Sequence, residues 1–172
     1  GLLVALVVRS ESAGSALFRQ VRIGKDGVAF FMYKFRSMRE QTVQETRFAS
    51  DESDRITRVG YFIRATHLDE LPQLFNVLRG EMSLVGPRPE QPGFVARFEQ
   101  DIPYYRYRHL VKPGITGWAQ VCQGYAADTD STVEKLSYDF YYIKNLSVWL
   151  DVLILVRTLR SVLVDRHPER KV

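Results

Sequence analysis

Asp69 and Glu70 are adjacent carboxylates at the head of the most strongly patterned segment of the chain, with Arg64 five residues upstream. Leu71, Leu74, Phe75 and Leu78 follow at i, i+3, i+4 and i+7, which predicts a helix over Asp69–Gly80 with one apolar stripe. Pro72 fits only the first turn of such a helix, where its missing N–H has no partner to lose. That places Asp69 at or beside the N-cap and Glu70 in the first turn. Gly80 supplies the stop. A carboxylate there caps the helix in the positive end of its dipole. The same end also favours phosphate. Two carboxylates would repel a phosphoanion unless an arginine or a divalent cation offset their charge, and Mg²⁺ with oxygen ligands is the natural candidate. The chemistry this allows is attack on phosphorus by one carboxylate, while the other serves a metal or a proton. Simple capping is the competing role for the same residues.

Gly86-Pro87-Arg88-Pro89 is the second feature. Pro87 and Pro89 stiffen the backbone on either side of one arginine, which lowers the entropy lost when its guanidinium is held on a phosphate. A rigid turn with a solvent-facing arginine is the plainer alternative. Lys34 and Arg36 add cations on a strand face that is open to solvation. Other phosphate and hydrolytic devices are missing: the sequence has no GxxxxGK[ST], no GxGxxG after a strand and no GxSxG. No Cys/His spacing suits zinc. Of His67, His109 and His167, only His67 lies near the carboxylates, and at most it would support them indirectly.

The elements that must position these groups are legible in part. FRQVRI and FFMYKF flank Gly24-Lys25-Asp26-Gly27, so Phe18–Phe35 predicts two strands around a turn. Residues 39–54 carry little pattern and read as a loop or a short solvated helix. Arg58–Arg64 reads as an amphipathic helical turn and Phe94–Gln100 as a short helix. KPGITGWAQV reads as a turn running into a strand. Two helices, Ser131–Lys144 and Val148–Leu163, meet near Asn145. The second holds LSVWLDVLILV, too short and too charged at Asp151 to span a membrane. It suits a membrane interface, with Trp149, Tyr141 and Tyr142 nearby, or burial in the domain's own core.

Bulk properties bound the rest. With 172 residues, 45% hydrophobic and 26% charged, the chain makes one globular domain, which excludes wholesale disorder. The single cysteine, Cys122, excludes an internal disulfide and reads as a small core residue. Net charge is +4, placed at the ends: residues 1–40 carry +4, residues 157–172 carry +3 and the middle carries −3. Basic ends beside apolar runs suit an anionic membrane surface. Leu2–Val8 is unbroken apolar, too short to cross a bilayer and without the basic start of a signal peptide. It reads as the end of a longer apolar segment or as a first core strand.

DRITRVGYFIRATHLDELPQLFNVLRGEMSLVGPRP, Asp54–Pro89, closely resembles the signature of the bacterial sugar transferases, the monotopic polyprenyl-phosphate phosphoglycosyl transferases. The likeness extends through FRQVRIGKDG, KFRSM, KPGITGWAQ and SYDFYYIKNLSVWLDVLIL, and so covers nearly the whole chain. The resemblance implies a mixed α/β (α+β) fold: a compact interfacial domain of amphipathic helices with a small β-sheet, preceded by a re-entrant membrane helix. Residues 1–8 would be the stump of that helix and residues 9–172 the catalytic domain. By similarity, Asp69 is the nucleophile on the β-phosphate of a UDP-sugar. UMP leaves, and undecaprenyl phosphate then takes the phosphosugar from the aspartyl intermediate. Glu70 assists as metal ligand or proton handler, Arg64, Arg88 and Lys34 contact phosphate, and Mg²⁺, held by Asp69 and Glu70, is the cofactor. Pro72, Pro87 and Pro89 support the site. The place implied is the cytoplasmic face of the bacterial inner membrane, in contact with membrane lipids, and the apolar helices leave room for a homodimer. A nucleic-acid module stacking bases on Tyr104, Tyr105 and Tyr107 is the rival from another class. The sharp motifs sit in the acidic middle, which speaks against it, so nucleic acid is not an expected partner. A non-catalytic scaffold of the same fold would be marked by a changed Asp69, Glu70 or Arg88, and all three are in place.

Overall fold

A computed structural model of the chain describes residues 2–11, 14–39, 56–123 and 129–164. Among the described residues seven α-helices and four short strands follow in the order α1 (Leu2–Glu11), β1 (Leu17–Ile23), β2 (Ala29–Phe35), α2 (Arg58–Ala65), α3 (Gln73–Leu78), β3 (Ser83–Val85), α4 (Pro92–Asp101), β4 (Gly114–Thr116), α5 (Trp118–Cys122), α6 (Thr129–Lys144) and α7 (Val148–Val164). The expected mixture of helices with a small sheet is present, divided into two two-stranded pieces. β1 and β2 form an antiparallel hairpin, while β3 and β4 run parallel. Among the described residues no helix is long and apolar enough to cross a membrane.

The hairpin closes as its turn residues require. Asp26 and Gly27 both take positive φ, and the Gly24 N–H donates to the Val28 carbonyl at 2.9 Å. Register runs from Leu17 opposite Phe35 to Ile23 opposite Ala29. The period-2 pattern of β2 was expected to leave Lys34 and Arg36 on an open face, and neither is open. Phe30, Met32 and Phe35 are the buried residues of β2; Lys34, on the Phe30–Met32 side, is half-buried, and Arg36, just past the strand, is buried. The outward Phe31 lies under the Arg19 guanidinium at 5.2 Å, and Tyr33 meets the edge of Phe75 at 6.0 Å.

Leu2–Val8 lies within a helix, which settles the helix-or-strand alternative in favour of the helix. Val8 packs against Phe35 and Ile63. At the other end of α1, the Glu11 carboxylate accepts the Arg58 and Val59 N–H groups at 2.9 and 2.8 Å and caps α2. Thr57 completes that cap by accepting the Gly60 N–H.

The segment expected as one helix over Asp69–Gly80 is two pieces. Leu68–Glu70 is a single 3₁₀ turn, and the α-helix starts only after Pro72, which occupies its N-cap. Asp69 therefore does not cap α3. Proline is the physical reason: with no N–H to contribute, it ends one hydrogen-bonded run and opens the next. Gly80 closes the helix at φ 77°, as expected. The stripe of Leu71, Leu74, Phe75 and Leu78 is exposed, Leu78 at 86%, while Gln73 and Asn76 are buried. The apolar face of α3 thus points outward and its polar face inward.

The remaining expectations divide. The Phe94–Gln100 helix is α4, and the Ser131–Lys144 and Val148–Leu163 helices are α6 and α7. KPGITGWAQV holds the short strand β4, but its second half is helix α5, not strand. Cys122 is exposed at the end of α5, not in the core. Residues 40–55, most of the unpatterned stretch, lie outside the described residues. Helix α7 is buried in the domain's own core along one side and exposed along the other. Ile154 is fully buried against Val85 and Tyr142, while Val148, Trp149, Val156 and Leu159 face outward.

Candidate active site

The strand–turn–helix junction brings the sequence candidates together. Glu70 Oε1 accepts from Lys34 Nζ at 2.7 Å and from Arg88 Nη2 at 3.1 Å, joining three elements at one oxygen. Asp69 and Glu70 are both buried. The turn that holds them is forced by His67, which sits in the left-handed region at φ 53° and lets the chain leave α2 and re-enter helix at once. Arg64, in the last turn of α2, lies close enough for its charge to act on Asp69, as does His67.

The two carboxylates differ in environment. Glu70, between two cations, is held far below the ordinary carboxylate range despite its burial. It is a fixed anion. Asp69 accepts no hydrogen bond from any described residue, and burial, with Glu70 beside it, pushes its pKa up against the pull of Lys34, His67 and Arg64. Lys34 is pulled down, by burial first and also by the neighbouring Arg88 charge. The site thus holds one committed carboxylate and one uncommitted carboxylate side by side.

Arg88 is set by packing that the sequence motifs imply only in hindsight. β3 and β4 pair Ser83 with Gly114 and Val85 with Thr116, so the GPRP segment emerges beside KPGITG. Gly86, Gly114 and Gly117 touch backbone to backbone, and a Cβ on any one of them would overlap main-chain atoms of the other segment. Pro87 O accepts from the Gly114 N–H at 3.0 Å.

Sequence reasoning missed two groups. Asn76, fully buried, spends its amide on β2: it donates to the Phe31 carbonyl at 2.7 Å, accepts from the Tyr33 N–H at 3.1 Å and also donates to Glu81. It ties α3 to the strand that carries Lys34. The available signal was a polar residue opposite an apolar stripe. The second group is a charge cluster behind the Arg88 loop, in which Arg108 and Asp139 are buried and Arg22, Glu90 and Lys135 half-buried. Its members come from four distant segments, and no local pattern joins them.

For a divalent cation, the donor set is the two carboxylates alone. Among the described residues no group of three or more His, Cys, Asp or Glu is placed to hold a metal. Two carboxylates fit a cation that takes its remaining ligands from water and substrate phosphates, as Mg²⁺ does.

The bacterial sugar transferase family model matches residues 1–165. The chain belongs to the bacterial sugar transferase family. Among its relatives, the UDP-N-acetylgalactosamine-undecaprenyl-phosphate N-acetylgalactosaminephosphotransferase of Aeromonas hydrophila is 55% identical over 94% of this chain and 38% of its own length. The UDP-glucose:undecaprenyl-phosphate glucose-1-phosphate transferase of Xanthomonas campestris pv. campestris is 47% identical over 94% of this chain and 34% of its own. The exopolysaccharide production protein PSS of Rhizobium leguminosarum is 41% identical, covering 94% of this chain and 84% of its own length. The chain thus spans just over a third of the length of the first two relatives.

Proposed function

We propose that this sugar transferase domain moves a sugar-1-phosphate from a UDP-sugar to a polyprenyl phosphate, releasing UMP. The observation that carries the reading is the division of labour in the dyad. Glu70 is tied to Lys34 and Arg88, while among the described residues none hydrogen-bonds to or ion-pairs with the Asp69 carboxylate. A nucleophile needs a free lone pair, and Asp69 has it. An Asp69 oxygen attacks the β-phosphorus. The bond from that phosphorus to the bridging oxygen breaks, and UMP leaves with the electron pair. A phosphate oxygen of the polyprenyl phosphate then attacks the same phosphorus, breaks its bond to Asp69 and regenerates the carboxylate. Two steps suit a water-soluble donor and a bilayer-bound acceptor, which need not share the site. Lys34, Arg88 and Arg64 place positive charge where negative charge builds on the phosphoryl oxygens. Asp69 and Glu70 are the residues that would hold Mg²⁺, which would neutralise donor phosphate charge.

Association with the bacterial inner membrane is part of the same proposal. The exposed Leu71, Leu74, Phe75 and Leu78 begin at the residue after the dyad, and Leu3, Leu6, Tyr61 and Phe62 are exposed on α1 and α2. These suit acyl chains better than water. The family relatives act on undecaprenyl phosphate by their names, and an acceptor with a lipid tail requires a site at the bilayer surface.

The test is UMP release from a panel of UDP-sugars by the whole protein in nanodiscs, with undecaprenyl phosphate and Mg²⁺. Release with one sugar, and its loss in Asp69→Asn while the melting temperature is kept, is the expected result. Turnover surviving in Asp69→Asn would sink the covalent mechanism.

A further inference from the structure

We propose that Arg108 is a positioning residue for Arg88, an inference that rests on the transferase reading above. The GPRP loop has a particular weakness. Pro87 and Pro89 bring no N–H groups, so its backbone must be anchored largely through carbonyls. The structure supplies a donor to each in turn. Pro87 O accepts from the Gly114 N–H, and Glu90 O accepts from the Ile23 N–H, both at 3.0 Å. The two carbonyls between them take guanidinium donors: Arg88 O from Arg108 Nη2 at 2.9 Å, and Pro89 O from Arg22 Nη1 at 3.0 Å.

Arg108 cannot touch a substrate, because its side chain is only 3% exposed. It is itself held on every side. Its Nε donates to Asp139 Oδ2 at 3.0 Å, Nη2 lies 2.8 Å from the same oxygen, and Nη1 donates to the Tyr105 hydroxyl at 2.8 Å. Its plane lies over the Tyr105 ring at 5.2 Å. Asp139 is 2% exposed and projects from α6, so the relay runs from a long helix to the main chain of the site arginine. Arg88 is then fixed at two points: Arg108 holds its carbonyl, and Glu70 holds its guanidinium.

A buried ion pair is weak evidence for stability, since desolvation offsets most of the attraction and an apolar pair of similar size packs as well. What the pair supplies that apolar groups cannot is a donor at a defined place and angle. Arginine is required for this. A lysine ammonium is a point donor and cannot serve Asp139, Tyr105 and the Arg88 carbonyl together from one fixed plane.

The experiment is a double-mutant cycle on the whole protein in nanodiscs, read as kcat/KM for the UDP-sugar and accompanied by melting temperatures. Arg108→Lys keeps the charge. Alone it is expected to lower kcat/KM about tenfold or more, whereas in an Arg88→Lys background it lowers kcat/KM less than about twofold, because the group it positions is already compromised. Equal losses in the two backgrounds would mean that Arg108 acts on stability alone and would overturn the proposal. If Arg108→Lys does not fold, Tyr105→Phe goes through the same cycle. It leaves the ion pair intact and removes one bond to the guanidinium. A threefold loss that vanishes beside Arg88→Lys supports the relay, and a loss equal in both backgrounds rejects it. Absence of UMP release from the unmodified protein with any UDP-sugar would instead fail the transferase reading itself.

Discussion

At the residue scale, the proposed dyad sets identical chemistry in unequal surroundings. Glu70 between Lys34 and Arg88 stays anionic, whereas Asp69 is pushed toward protonation by burial and by Glu70. On the proposed mechanism, the fraction of Asp69 ready to attack therefore falls at a higher pH than for a free aspartate. Lys34, pulled below the ordinary lysine range, loses its charge earlier on the alkaline side. The expected profile of kcat/KM is a bell with both limbs drawn inward. Lys34→Arg should extend the alkaline limb, because a guanidinium does not titrate there. An alkaline limb unmoved by that change would show that Lys34 does not set it. Glu70→Gln should be more damaging than its isosteric shape suggests. It leaves Lys34 and Arg88 facing each other without the carboxylate, so a loss of at least about 10²-fold in kcat/KM is expected, of the size seen when a site's electrostatics are broken.

At the element scale, α3 is inside out, and that inversion marks how far the sequence could be read. The hairpin, the helices from α4 onward other than α5, and the closeness of Asp69, Glu70, Arg88 and Lys34 were legible in it. Turn chemistry and apolar period are local properties, and the family signature carried the site. Leu71, Leu74, Phe75 and Leu78 gave the helix from Gln73 onward but not the exposure of its stripe, because periodicity reports a stripe and not what covers it. The charge cluster around Arg108 was illegible for a different reason: its Arg108–Asp139 and Lys135–Glu90 contacts join residues 31 and 45 positions apart along the chain. The inversion makes a paired prediction. Asn76→Ala strands the Tyr33 N–H and the Phe31 carbonyl, and should destabilise the protein by about 3 kcal/mol in thermal or denaturant melts. Leu74→Ser with Leu78→Ser should leave stability within about 0.5 kcal/mol, since both side chains are exposed. The same pair should weaken binding to anionic vesicles roughly tenfold, the value of about 1.4 kcal/mol of lost apolar burial. Vesicle binding unchanged by the double substitution would remove α3 from the membrane contact.

At the scale of the whole molecule, the packed centre is a set of small apolar clusters joined by charge, and this sets how the fold responds to acid. The cluster of Val95, Phe98, Ile102, Tyr105 and Leu136 lies against the Arg108–Asp139 pair, and His109 meets the Tyr105 ring edge-on at 6.2 Å. Burial, with the Arg108 charge beside it, pulls the His109 pKa from 6.5 down to about 4. Between those values the unfolded chain takes up a proton that the folded protein refuses, so the stability tied to neutral His109 is complete above pH 6.5 and drains away as pH falls toward 4. Glu90, held to about 2 against burial by Lys135, Arg108 and Arg22, behaves likewise one step lower. Its stabilisation is present above its ordinary 4.5 and lost as pH falls toward about 2. The two windows adjoin, so the fold should weaken continuously from near neutrality downward instead of holding to a single acid threshold. Melting midpoints taken at half-unit steps from pH 7 to pH 4 should fall throughout, by roughly 5 °C or more in total. His109→Gln should flatten the part above pH 4.5 and leave the steeper acid limb in place. If the slope between pH 6.5 and 4.5 survives that substitution, His109 is not its source.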